Sequence, residues 1–340
     1  FAGLGIQSSV AGVPSRQFQQ IQQYQMLVSE NPSATNQDKV ELAEVLRGQD
    51  IQAYQKIYSK TLDKDFKGKA GLQTITLMMT EKEDLTPFIH LQDHQQELTL
   101  KDGVVITAKL AQLAGVKVGQ SLEIEGKELT VAAIAENYVG HFIYMSQSNY
   151  EQLYGQLPQA NTYLVTLKDS SATSIERQAG LLMNQSAVSS VVQNASAIRL
   201  FDSVASSLNH TMTILVIVSV LLAIVILYNL TNINVAERIR ELSTIKVLGF
   251  HNNEVTLYIY RETIVLSLVG IVLGLVSGFY LHQFLIQMIS PATILFYPQV
   301  GWEVYVIPVA AVSIILTLLG FFVNHHLRKV DMLEALKSVE

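Results

Sequence analysis

Three long apolar runs near the end of the chain constrain its fold more than any other feature. Met212 to Tyr228 has no charged residue, and the charge-free run around it (His aside) reaches from Ser203 to Ala236. Thr263 to Pro298 contains a second span, with His282 its only titratable interior group other than tyrosines. Val304 to Val323 is the third. A hydrocarbon core about 30 Å thick takes ~20 residues of helix at 1.5 Å per residue, so these runs suit membrane helices. Three buried helices of a water-soluble core are the competing reading. Nearly all charge in this region sits in the gaps between the runs, which favours spanning.

The rest of the chain has a different composition. Residues 1–205 hold 16 of the 23 Lys+Arg and 21 of the 29 Asp+Glu, within a chain of 340 residues and net charge −6. That asymmetry predicts a water-facing domain joined to a membrane domain. Cys is absent, so neither disulfides nor thiolate metal sites arise. An acidic chain without a basic groove gives no support for nucleic-acid binding. Phe1 to Ile6 reads as the end of an apolar segment, so residues 1–12 are expected to be the stub of a truncated membrane helix.

Lys and Arg near the span ends set the orientation. The first gap carries Arg238, Arg240, Lys246 and Arg261; the second, Ser290 to Glu303, carries none; the tail carries Arg328, Lys329 and Lys337. The expected layout is an extracellular domain at 13–205, a membrane helix at 206–236 and a cytoplasmic segment at 237–262. A second membrane helix follows at 263–289, a short outer loop at 290–303, a third membrane helix at 304–327 and a cytoplasmic tail at 328–340.

Within the outer domain, Ser15 to about Lys67 reads as helical, because Val40, Leu42, Val45, Leu46, Ile51, Tyr54, Ile57, Tyr58 and Leu62 recur mostly at spacings of three and four. From Gly71 the pattern turns β-rich. Strands are expected at Leu72–Met79, Glu97–Leu100, Val104–Ile106, Ser121–Glu125, Leu129–Ile134, Phe142–Met145, Thr162–Leu167 and Val188–Val192. Asp102-Gly103 predicts a hairpin between the second and third of these, and Gly126 one between the fourth and fifth. Helices are expected at Thr107–Leu113, stopped by Gly115, and at Ser148–Tyr154, Ser171–Asn184 and Ala195 to about Asn209. The fold class is an α+β extracellular domain followed by three transmembrane α-helices.

Two stretches carry candidate function. Gly270, Gly274 and Gly278 recur every four residues in the second span. In lipid, helices associate through close backbone approach, which glycines on one face permit. Between the first two spans, Val235, Ile239, Leu242, Ile245 and Leu248 form one apolar helical face, while Arg238, Glu241 and Lys246 project elsewhere. Gly249 suits a left-handed stop, Asn252 a cap and Glu254 the positive end of the next helix. Physics alone leaves this segment open between a helix lying on lipid and a surface for a partner.

Catalytic signals are absent. There is no Gly-x-x-x-x-Gly-Lys-[Ser/Thr] and no His-Glu-x-x-His. His90 and His94 are four apart, but Pro87 and the local alternation argue for two solvent-facing histidines rather than a metal pair. The expectation is a non-enzymatic chain.

Glu237-Arg238-x-Arg240-Glu241-Leu-Ser-Thr-Ile-Lys246-Val-Leu-Gly249-Phe250, with Arg261-Glu262 and a glycine-rich span after it, resembles the FtsX-like (MacB-type) permease family of ABC transporters. Asp331-Met-Leu-Glu-Ala-Leu-Lys337 is similar to the family's C-terminal ending, and Val105–Ala111 with Gly115-Val-Lys-Val-Gly119 to a segment of its outer domain. The resemblance implies one membrane helix, a large outer domain and three further helices. It also implies the C-terminal repeat unit of a Gram-positive permease that lacks its first helix here.

On this likeness a separate cytoplasmic ATPase binds ATP and Mg, this chain holding no cofactor. Glu237, Arg238, Arg240, Glu241, Lys246, Gly249, Phe250 and Glu254 then belong to the ATPase-coupling segment. Further expected partners are the lipid bilayer and a second permease unit, either a homodimer mate or the other half of one chain. The implied action is mechanotransmission: ATP hydrolysis inside moves the domain outside. A direct exporter of an amphipathic peptide or lipid, and a membrane-tethered interaction or sensor module without ATPase, are the alternatives.

Overall fold

The computed structural model describes residues 1–66, 70–82, 84–93, 96–238, 241, 245, 251–296 and 300–329. The chain divides into two compact units, one of Val10–Ala205 with Ile289–Tyr297, the other of Phe1–Ser9, Ser206–Met288 and Pro298–Glu340.

The first unit is built on a nine-stranded mixed sheet. Its strands are β1 (Met26–Glu30), β2 (Ile51–Phe66), β3 (Gly71–Thr80), β6 (Val104–Thr107), β7 (Ser121–Ile124), β8 (Lys127–Ala135), β9 (His141–Ser146), β10 (Thr162–Leu167) and β11 (Val188–Gln193), in the order β11-β1-β10-β2-β3-β9-β6-β8-β7. β4 (Gln92–Asp93) and β5 (Gln96–Glu97) pair separately. β3/β9 and β6/β8 are parallel and the other neighbours antiparallel.

Helices cover the sheet. α2 (Asn36–Leu46) opens on a capping box, Asp38 N–H donating to Thr35 Oγ1 at 3.2 Å and Thr35 N–H to Asp38 Oδ2 at 2.8 Å. Such caps satisfy backbone donors that the helix cannot, and each contributes about 1 kcal/mol. α3 (Ala108–Ala114) stops at Gly115, whose φ of 70° is left-handed. α4 (Gln147–Tyr154) and α5 (Ala172–Met183) are capped by Ser146 and Ser171. Leu42, Leu46, Ile175 and Leu182 of α2 and α5 pack on Met26, Val28 and Val165. Leu110 and Tyr150 of α3 and α4 pack on Ile75, Ile106 and Val131.

The strands expected at 72–79, 142–145, 162–167 and 188–192 form, as does the hairpin at Gly126, where Glu125 and Gly126 both take positive φ (49° and 74°). That pair of left-handed residues matches the strand twist of a tight hairpin. Two expectations need correction. The helical reading of 15–67 holds only for α2 and for a π-helical turn at Arg16–Ile21; 26–30 and 51–66 are strands. In β2, Ile51 and Ile57 are buried on odd positions, Leu62 and Phe66 on even ones. The alternation changes phase mid-strand and so mimics helical spacing. The hairpin expected across Asp102-Gly103 does not form. Leu100 is buried in the core instead, Asn149 Nδ2 donates to the carbonyls of Leu100 and Gly103, and β6 pairs with β8 and β9.

Part of the expected outer loop is built into this unit. Gly140 N–H donates to Thr293 O and Leu295 N–H to Tyr138 O, both at 2.8 Å, around a bridge between Val139 and Ile294. Phe296 packs against the cluster of Ile21, Tyr24 and Tyr144.

The second unit takes in the first residues of α1 (Ala2–Ala11), the greater part of α6 (Asn194–Glu237), α7 (Asn252–Ile289) and the described part of α8 (Glu303–Lys329). Three stretches, Asn194–Glu237, Tyr260–Ile289 and Glu303–His325, are helices long and apolar enough to cross a membrane. Leu221, Val272 and Leu318 are more than half exposed. Helices apolar on every side suit a hydrocarbon solvent.

Candidate functional site

The candidate coupling segment begins where α6 ends, at Glu237. Arg238 Nη2 donates to Glu262 Oε2 at 2.7 Å, with both side chains partly exposed. Exposed pairs of this kind contribute about 0–1 kcal/mol. Asn234 Nδ2 donates to Thr263 Oγ1 at 3.4 Å, so α6 and α7 are pinned at two adjacent levels. Glu254 is the third residue of α7, and its Oε2 accepts from His251 N–H at 2.9 Å. Glu254 thus reaches back to the start of the helix, half of a capping box; the side chain of Asn252 lies outside the described residues.

Ile245 of the apolar face packs with Val235 and Leu227 around a buried cluster of Val255, Tyr260, Ile315, Leu319 and Val323. Tyr260 Oη donates to Leu316 O at 2.6 Å. Glu241 is exposed. Arg240, Lys246, Gly249 and Phe250 lie outside the described residues, as do Ile239, Leu242 and Leu248 of the apolar face, His94 and the tail motif from Asp331.

The three glycines of α7 meet different surroundings. A Cβ on Gly278 would stand 2.9 Å from Phe1 Cβ. Gly270 and Gly274 have nothing within 4 Å of that position and line an apolar groove of about 550 Å³ with Leu227, Leu266 and Pro308. Ser267 also lines it, its buried Oγ without a hydrogen-bond partner among the described residues.

The sequence singled out His282 without finding its partner. The ring is fully buried, with Nε2 3.1 Å from Ser9 Oγ and the backbone of Gly5 against its edge. Buried polar groups in lipid need such partners, and the 273 residues between Ser9 and His282 hide this one from local pattern. Among the described residues no group of three His, Asp or Glu side chains is placed to hold a metal ion. His90 is partly buried, its N–H bonded to Ile21 O.

Residues 213–332 match the family model described as FtsX-like permease C-terminal. An uncharacterised ABC transporter permease protein of Mycobacterium tuberculosis is 25% identical over 207 residues, covering 57% of this chain and 23% of the relative. The chain thus spans about a quarter of that relative's length. Two solved structures overlap it. The periplasmic region of MacB from Actinobacillus actinomycetemcomitans does so with a TM-score of 0.32 and 11% identity, over 54% of this chain and 94% of that one. The extracellular domain of a noncanonic ABC-type transporter from Gram-positive bacteria does so with a TM-score of 0.28 and 16% identity, over 50% and 98%.

Proposed function

We propose that this chain, whose residues 213–332 match the FtsX-like permease C-terminal family model, is the membrane subunit of an ABC transporter. A separate cytoplasmic ATPase binds ATP and Mg, and residues 237–254 are its coupling surface. The family match carries this reading, because from residue 213 it takes in nearly all of the three apolar runs and the whole segment between the first two. The work done is mechanotransmission. Nucleotide-driven motion reaches residues 13–205 outside the membrane through the helices that flank the segment. Two features support a stiff connection at its base: the Arg238–Glu262 and Asn234–Thr263 links, and the cluster around Tyr260. The open face at Gly270 and Gly274 suits close approach by a helix of a second permease unit.

Co-purification tests the partner. The chain expressed with its cognate ATPase should retain it through affinity purification. Arg240→Glu with Lys246→Glu should reduce the retained ATPase at least tenfold while leaving the chain in the membrane. Equal retention would reject the coupling surface. An ATPase that never co-purifies with the unaltered chain would favour the tethered interaction or sensor module.

Topology has its own test, made simple by the absence of native cysteine. In intact cells, Lys127→Cys should react with a membrane-impermeant maleimide and Lys246→Cys should not. The reverse pattern overturns the orientation.

A further inference from the structure

The two helices that flank the candidate coupling segment each lead, without a break, to a different anchor within the sheet unit. α6 runs from Asn194 to Glu237 and α7 from Asn252 to Ile289. The first residue of α6 is fixed on the β1 side. Asn194 follows β11 directly, its N–H donates to Gln25 O at 3.0 Å and its Nδ2 to Tyr24 O at 2.6 Å. In the second turn of α6, Arg199 Nη1 donates to Glu176 Oε1 of α5 at 2.7 Å.

α7 ends at Ile289, and the next residue is already held. Ser290 Oγ accepts from Nζ of Lys109, the second residue of α3, at 3.3 Å and donates to Ile294 O at 2.6 Å. Thr293 to Leu295 bond to Tyr138–Gly140, the turn between β8 and β9. That turn is braced from behind. Gln17 is fully buried, and its Oε1 accepts from the N–H groups of Tyr138 and Val139 at 2.7 and 3.2 Å. Its Nε2 donates to Asn137 Oδ1 at 2.8 Å, and Asn137 Nδ2 donates to the carbonyls of Val139 and Gly140 at 2.7 and 3.0 Å.

We propose that residues 290–296 are a second mechanical handle, through which α7 moves the β9–β6–β8 side of the sheet while α6 moves the β1–β11 side.

This rests on the mechanotransmission reading and adds to it the route by which force enters. Each unanchored residue of a connection can absorb up to about 3.5 Å of displacement by extending before it pulls. No residue intervenes between the end of α7 and Ser290. On the other side residues 297–302 precede α8, so displacement passes first along α7. An unbroken helix is a rigid carrier, because its backbone is hydrogen-bonded at every turn. The two anchors fall on opposite sides of β2 in the sheet order. Phe201 of α6 and Phe296 both pack on the apolar cluster that spans the middle of the sheet, so it is the hydrogen bonds that separate the two handles. Unequal movement of α6 and α7 then turns the sheet instead of merely lifting it.

Fluorescence transfer on the full chain with its cognate ATPase in nanodiscs tests the handle. A donor at Lys127→Cys, the first residue of β8, or at Val192→Cys in β11 is read against acceptor-labelled lipid headgroups. Readings are taken before and after adding a non-hydrolysable ATP analogue with Mg. In the otherwise unaltered complex both positions should shift. Gly-Gly-Ser-Gly inserted after Ile289 lengthens the connection without removing a docking contact. It should cut the Lys127 shift to less than half while the ATPase stays bound and Val192 still shifts. Ser290→Ala with Phe296→Ala, which undocks the segment from within, should do the same. Amides of the β2–β3 ladder should keep their protection from hydrogen exchange in both variants. A Lys127 shift that survives both changes overturns the handle and leaves mechanotransmission standing. Equal loss of both shifts on insertion also overturns it, because α7 would then be the sole drive. No shift at either position in the unaltered complex, with the ATPase bound, overturns mechanotransmission and the handle with it.

Discussion

A methyl group added at Gly5 is expected to weaken the packing of the first helix against α7 by about 1–3 kcal/mol, the usual cost of overpacking. The Cβ of Gly5→Ala would stand 2.7 Å from His282 Cδ2, closer than real Cβ atoms come, and a tight 3.1 Å from Cγ. The ring has nowhere to retreat, because it is fully buried and Nε2 is engaged with Ser9. Either α1 lifts or the ring rotates away from Ser9, and each loses packing that membrane helices rely on.

A double-mutant cycle separates this clash from general damage. Gly5→Ala should cost about 1–3 kcal/mol in the unaltered chain and less than about 0.5 kcal/mol when His282→Ala has already made room. Denaturant unfolding in micelles would read both. Additive costs would show that Gly5 and His282 do not meet.

The second large effect belongs to the sheet unit. Leu164→Ala should cost about 2–5 kcal/mol, read as a lower denaturant midpoint of unfolding. Leu164 sits in β10, between β1 and β2, is 0% exposed, and belongs to a cluster with Ile57, Met78 and Tyr144. Its removal leaves a cavity in the middle of the sheet that no loop can collapse to fill. Marginal stability makes that loss a large share of the total. Leu72→Ala, at a side chain 68% exposed, should change stability by less than about 0.5 kcal/mol and serves as the control.

Local chemistry explains which parts of this architecture can be read in the sequence. α5 shows itself by Ser171 at its cap, and the β7–β8 turn by Gly126, because each signal and its structure lie within a few residues. The apolar runs are legible because the membrane imposes one requirement along a whole helix. β2 escapes because its two halves bury opposite parities. The Asp102-Gly103 turn misleads because Leu100 is buried in the core and β6 pairs with β8 and β9 instead. The candidate sites divide in the same way. Glu254 is recognisable as a residue for a helix start, and there it accepts from the backbone N–H of His251. The meetings of His282 with Ser9, and of Lys109 with Ser290, join positions 273 and 181 residues apart, and no local pattern encodes them.

The phase change in β2 has a mechanical consequence. Residues 51–57 are laced to β10 and residues 58–66 to β3, so one 16-residue strand is the common backbone of both halves of the sheet. Neither half can swing like a door on the other without shearing hydrogen bonds along that strand. If force reaches this domain, the strand acts as a girder: the load is borne by the whole plate, and deformation is left to the segments at its margin.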